Sequence, residues 1–155
     1  MRLCRQAGVP LIVNDRADIA MLLGAGLHLG QDDLPLQDAR RLIGAATWLG
    51  YSTHNAAQLT AADREPPDYL AIGPLFGTQS KLNPDPVVGV PQLRDLRPLT
   101  GKPLVAIGGI TRANARSALE AGADSVAVIA DLIPADCSAH SIRERFEEWR
   151  RRIAE

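Results

Sequence analysis

Cysteine is scarce in this sequence: two residues, Cys4 and Cys137, among 155. They form neither a CxxC pair nor a Cys/His cluster of metal-ligand spacing, which excludes a zinc or dithiol motif of that kind. Long apolar runs are missing as well. The longest are strand-sized and broken by Gly or charge, well short of the ~20 residues a membrane helix needs, so a membrane-spanning role is excluded. Nor is there an excess of charge of one sign. The formal net charge is −1, and basic residues are mixed with acidic ones except at Arg150, Arg151 and Arg152, which suit the C-terminal end of a helix. Without a basic footprint, a nucleic-acid partner is not expected. Nothing at the N-terminus has the form of a signal peptide, so a cytoplasmic location is the default expectation.

What is present is 46% hydrophobic and 23% charged residues, enough apolar material for one soluble domain with a single core. Short runs rich in Val, Ile and Leu alternate with helical patterns, and each run closes on a polar or Gly-rich cluster, the rhythm of a parallel sheet. Strands are predicted at 10–15, 26–30, 47–52, 69–75, 104–110 and 125–132. Helices are predicted at 16–23, 36–43, 55–64, 90–96, 112–121 and 140–153. Roughly six βα units in series imply either a doubly wound sheet or part of an eightfold barrel. The opening residues up to Gly8 have the pattern of a helix ending on a glycine cap.

The segment 77–89 follows neither helical nor strand periodicity and is long for a βα connection, which marks it as a functional loop. In parallel α/β folds ligands sit beyond the C-terminal ends of the strands, so the polar clusters there converge on one face. Asp15 and the pair Asp32 and Asp33 suit an oxygen-liganded cation such as Mg²⁺, which takes one or two carboxylates and completes its octahedron with phosphate oxygens and water. Equally, Asp15 could cap the helix that starts at Arg16, and Asp32 or Asp33 could stabilise the turn before Leu34 and Pro35. Lys81, preceded by Thr78 and Ser80, suits phosphate oxygens or is simply solvated. Gly108 and Gly109 could free backbone N–H groups for an anion or serve a plain turn. Ser52 could donate to a reacting group or cap the helix near Asn55. His28 and His54 show no carboxylate or nucleophile partner in the sequence.

Taken in order, these segments resemble thiamine phosphate synthases across essentially the whole chain: Ile12-Val-Asn14-Asp15-Arg16-Ala-Asp18, His28-Leu-Gly-Gln31-Asp32-Asp33, Gly50-Tyr-Ser52-Thr-His54, Gly73-Pro-Leu-Phe-Gly77-Thr78-Gln79-Ser80-Lys81, Ala106-Ile-Gly-Gly109-Ile110 and Ala121-Gly-Ala-Asp-Ser-Val-Ala127-Val-Ile129. Each block is weak alone; the ordered set is specific. The resemblance implies an incomplete (β/α)8 TIM barrel comprising roughly its last six βα units, as a single domain over 1–155. It also implies a transferase joining an aminopyrimidine methyl diphosphate to a hydroxyethylthiazole phosphate, giving thiamine phosphate and pyrophosphate.

Site roles follow from the same resemblance. Asp15 and Asp33 match Mg²⁺ ligands; Asn14, Ser52 and Lys81 match residues that hold the pyrimidine diphosphate, with Ser52 and Lys81 as the catalytic pair. Thr78, Gln79 and Ser80 match the thiazole phosphate loop, joined by backbone groups of Gly109, Ile129 and Ala130. Family members suggest a homo-oligomer acting on small phosphorylated substrates. Four departures accompany the match: Ala130 stands where a serine is common, Gly77 where a proline is common and Ser80 where a threonine is frequent. The fourth concerns two further βα units that precede this region in the family, carrying a Gln-x-Arg-x-Lys strand that grips the diphosphate; this chain is expected to lack them, and with them activity on its own. Two other readings fit parts of the pattern: an isomerase of the thiazole tautomerase type, against which Asp15, Asp33 and Lys81 argue together, and a non-catalytic thiazole phosphate-binding fragment.

Overall fold

A computed structural model describes residues 1–78 and 85–154. Helix α1 (Arg2–Ala7) ends on Gly8 in the left-handed region at φ 65°, the glycine stop expected from the sequence. Thereafter strands and helices alternate: β1 (Ile12–Asn14), α2 (Ala17–Leu23), β2 (Gly26–Leu29), α3 (Leu36–Ile43), β3 (Leu49–Thr53), α4 (Ala56–Asp63), β4 (Tyr69–Ile72), α5 (Gly89–Leu96), β5 (Leu104–Ile107), α6 (Ala115–Glu120), β6 (Ser125–Ala127) and α7 (Ala139–Ala154). Short 3₁₀ turns occupy Arg97–Leu99 and Ala130–Leu132. All strand pairs are parallel and their spatial order is β1-β2-β3-β4-β5-β6. A doubly wound sheet reverses its order at a switch point, whereas an unbroken sequential order belongs to a barrel. The fold is therefore a six-stranded arc of a (β/α) barrel with β1 and β6 as its edges.

Side-chain alternation gives the arc its two faces. Leu27, Leu29 and Leu49 pack against Ala20, Leu36 and Ala39 of the flanking helices, while Leu70, Ile72, Leu104 and Ala106 pack against Leu59, Leu93, Leu96 and Ala118. The opposite parity turns inward: Asn14, His28, Gly50 and Tyr69 are register partners in one row across four strands. At the lower end the Arg40 guanidinium clasps the connections, donating to the Thr47 and Pro66 carbonyls and pairing with Asp68 at 2.7 Å. Asp68 also accepts from the Leu49 backbone N–H.

Every strand is shorter than its predicted range, and the last two are cut short for evident backbone reasons. That over 104–110 stops at Ile107 because Gly108 and Gly109 turn to φ 92° and 64°. That over 125–132 stops at Ala127 and becomes the 3₁₀ turn at Ala130–Leu132. The turn is tied to α7: Asp131 accepts from the backbone N–H and Nε of Arg112, both at 3.0 Å, and its carbonyl accepts from Arg145. Arg112 also pairs with Glu148, and Trp149 is buried in the core. Asp131 thus anchors the last helix.

Leu70 is fully buried between the sheet and its helices. Leu70→Ala is expected to lower the unfolding free energy by about 3 kcal/mol, the usual cost of such a truncation, as measured by urea denaturation.

Candidate functional site

The strand ends supply the site in order. At the end of β1, Asp15 holds φ 64°, a left-handed conformation that is rare outside glycine and best tolerated by Asp and Asn. Its backbone N–H donates to the His28 carbonyl at 2.9 Å, and the next N–H, of Arg16, bends back to the Asn14 carbonyl at 2.8 Å. Asp15 is not the helix cap: α2 takes Arg16 as its N-cap, with no side-chain capping bond. Strained backbone of this kind clusters at functional sites.

Beyond β2 the chain folds back on Asp33, whose Oδ2 accepts from the Gly30 N–H at 2.6 Å. The carboxylate therefore does stabilise its turn, as one of the two sequence readings held, and this bond also fixes it beside the strand end. Gln31 reaches across to β3, donating to the Ser52 carbonyl at 2.6 Å.

Ser52 does not cap α4, because Asn55 does so by accepting from the Gln58 N–H at 3.0 Å. Its Oγ instead lies 2.9 Å from His28 Nε2, and His28 Nδ1 lies 2.9 Å from the Tyr69 hydroxyl. The two rings stack with centroids 5.5 Å apart. They can meet only because Gly50, between them in the row, has no side chain: a Cβ there would lie 2.5 Å from His28 Nδ1 and overlap the Tyr69 ring. Burial holds the imidazolium of His28 below its ordinary range, partly offset by the Asp33 carboxylate, and pushes the Tyr69 phenol up to about 12. Tyr51 is also raised, by burial and then by Asp33, Asp32 and Glu65.

His54 likewise has partners that the sequence did not reveal. Its Nδ1–H donates to the Gly73 carbonyl at 2.6 Å, and Nε2 lies 3.5 Å from Asp85. The 77–89 loop is tied down at its return, where the Val88 and Gly89 N–H groups donate to the Pro74 and Leu75 carbonyls. Gly109 packs so tightly that a Cβ would lie 2.5 Å from the Gly77 carbonyl oxygen. The glycine pair thus serves close backbone approach, which sets Gly109 beside Gly77 and, through it, near Thr78. Ile129 and Ala130 are exposed where the chain leaves β6 for its 3₁₀ turn. Gln79, Ser80 and Lys81 lie outside the described residues.

Among the expected site residues, Asn14, Asp15, Asp33 and Ser52 belong to the neighbouring ends of β1 to β3. Thr78, Gly109, Ile129 and Ala130 belong to the ends of β4 to β6. His28, Gly50 and Tyr69 are the members whose part was not legible. Their one signal was parity: each falls on the inward face that the leucines leave.

A parallel barrel arc with a polar, glycine-gapped inner row, and further polar residues beyond its strand ends, defines an α/β barrel, a fold that builds its binding face from βα loops. The family profile described as Thiamine monophosphate synthase matches residues 1–132, and the chain belongs to that family. It is 61% identical over 126 residues to a thiamine-phosphate synthase of Koribacter versatilis, covering 81% of this chain and 60% of that protein. With the Chloroflexus aurantiacus thiamine-phosphate synthase it shares 48% identity over 135 residues, covering 86% and 62%. The solved thiamine phosphate pyrophosphorylase of Pyrococcus furiosus superposes with a TM-score of 0.84 at 32% identity, covering 99% of this chain and 71% of that one. The chain therefore spans about three fifths of the length of these two curated relatives. Among the described residues, no helix is long and apolar enough to cross a membrane.

Burial of His28 couples stability to pH. Below the ordinary histidine value of 6.5 the unfolded chain takes up a proton that the folded chain resists, so stability falls as pH drops through that value; above it the effect vanishes. Between about pH 7.5 and 5.5, His28→Asn is expected to lose less stability than the parent in urea titrations. Equal losses would show that His28 is not held neutral.

Proposed function

We propose that this chain carries the metal-binding and thiazole-phosphate side of a thiamine phosphate synthase active site. The reaction of the whole protein would join an aminopyrimidine methyl diphosphate to a hydroxyethylthiazole phosphate. The single observation that carries this reading is the strained left-handed Asp15 at the end of β1, beside a strand end whose following turn is closed by Asp33. Family membership and the synthase names of the similar proteins support it, and they favour it over a tautomerase.

The donor set suits Mg²⁺. Asp15 and Asp33 offer only oxygen, and no group of three His, Cys, Asp or Glu side chains of metal-binding geometry occurs among the described residues. That fits an ion that takes one or two protein carboxylates and draws its remaining ligands from phosphate and water. When bound, Mg²⁺ supplies neutralisation of the charge that develops on departing diphosphate.

The remaining roles fall to the chain itself. Lys81 stabilises the same leaving group, the kind of contact worth ~3 to 4 kcal/mol when donors are preorganised. Asn14 and Ser52 hold the pyrimidine. Thr78, Gln79 and Ser80, with backbone groups of Gly109, Ile129 and Ala130, anchor the thiazole phosphate. The C–O bond to diphosphate breaks as the electron-rich ring stabilises the methylene cation, and the thiazole nitrogen closes the new C–N bond. Orientation is the main requirement, so no protein nucleophile is needed.

Calorimetric titration with the pyrimidine diphosphate tests this. Binding should require Mg²⁺ and should weaken roughly 100-fold in Asp15→Asn, a change that keeps a residue suited to left-handed backbone. Binding indifferent to Mg²⁺, or unaltered in Asp15→Asn, would contradict the proposal.

A further inference from the structure

The His28, Ser52 and Tyr69 constellation goes beyond these roles. We propose that His28 is a positioning residue: Tyr69 fixes its tautomer, and the imidazole in turn makes the Ser52 hydroxyl a hydrogen-bond donor toward the substrate. The part addressed to substrate rests on the functional reading above; the relay itself does not.

Donor and acceptor chemistry sets the direction of this hydrogen-bond chain. Tyr69 Oη, His28 Nδ1, His28 Nε2 and Ser52 Oγ form a chain with two 2.9 Å links. A neutral imidazole has one N–H, so one nitrogen donates and the other accepts. At neutral pH an imidazole is ordinarily unprotonated for the most part and a phenol protonated, and the two 2.9 Å links give each ring nitrogen one partner. Between a phenol and an imidazole nitrogen, the phenol is the stronger acid and the ring nitrogen the stronger base. The link therefore runs from Tyr69 O–H to Nδ1, the ring proton sits on Nε2, and Nε2–H donates to Ser52 Oγ.

With that lone pair occupied, the Ser52 proton points elsewhere. Its carbonyl is taken by Gln31, so the strand end is held while the hydroxyl remains to address a ligand acceptor. An aminopyrimidine presents such acceptors in its ring nitrogens. Gly50 is part of the device, because any side chain there would separate His28 from Tyr69.

The test is the ring tautomer of His28, read by long-range ¹H–¹⁵N correlation at neutral pH in the 155-residue chain. The parent should show the Nε2–H form. Tyr69→Phe, which keeps the ring in place, should shift the population toward Nδ1–H, and Gly50→Ala should do the same by parting the pair. An Nδ1–H parent, or a tautomer unmoved by Tyr69→Phe, would overturn the relay.

Affinity for the pyrimidine diphosphate with Mg²⁺, measured on the same proteins, reads the second half. Tyr69→Phe should weaken it about tenfold. His28→Gln, whose amide nitrogen reaches the Nε2 position, should retain more affinity than His28→Asn, whose amide reaches only Nδ1. Equal losses in the two would overturn the substrate-directed role. Absence of both pyrimidine diphosphate and thiazole phosphate binding in the parent would sink the functional reading instead, with the tautomer still deciding the relay.

Discussion

Everything in this molecule hangs on the parity of a parallel sheet. Six strands in sequential register send alternate residues to opposite faces, and the face packed under the helices is almost wholly aliphatic, from Leu27 and Leu29 through Leu49, Leu70 and Ile72 to Leu104. A slip of one residue in β2 or β3 would drive His28 or Ser52 into that layer and a leucine into the interior. Burial of the leucines thus fixes not only the fold but also which polar side chains share the inner row. The site inherits its geometry from the hydrophobic core.

Small residues then decide how closely those side chains and loops approach. Gly50 opens the gap that lets His28 and Tyr69 stack, and Gly109 brings the loop after β5 against the loop after β4. Asp15 reaches its place by a different route, spending backbone strain, while Asp33 reaches its own through a local turn. Rigid strands, missing side chains and one strained residue together assemble an anionic pair beside a neutral, ordered hydrogen-bond chain. In the proposed reaction the carboxylates would meet the anionic diphosphate through a bound cation, and the hydrogen-bond chain would face the edge of the ring.

Much of this was legible in the sequence. The strand and helix order followed from hydrophobic period, and the strand ends were marked by the polar clusters; α3 falls on the predicted 36–43 without adjustment. The errors lay where tertiary contact overrides local pattern. The run 125–132 carries β-branched residues at Val126, Val128 and Ile129, yet Asp131 bends it by binding Arg112 and Arg145. Capping by Ser52 was one of two readings that local pattern left open, and Asn55 takes the cap while a histidine 24 residues upstream takes Ser52. The His28 and Tyr69 pair spans 41 positions, a separation that no local signal reports. Only the register, once known, reveals that both flank the same glycine.

The proposed function requires the carboxylates that follow β1 and β2, Asp15 and Asp33, to form one cation site on the inner face. Amide spectra recorded with Mn²⁺, an octahedral oxygen-seeking substitute for Mg²⁺, in the presence of pyrophosphate test it most directly. The account predicts that signals of Asn14, Asp15, Gly30 and Asp33 broaden first while those of α7 persist. Broadening centred on Asp131 and Glu148, or spread evenly over the acidic surface, would contradict it.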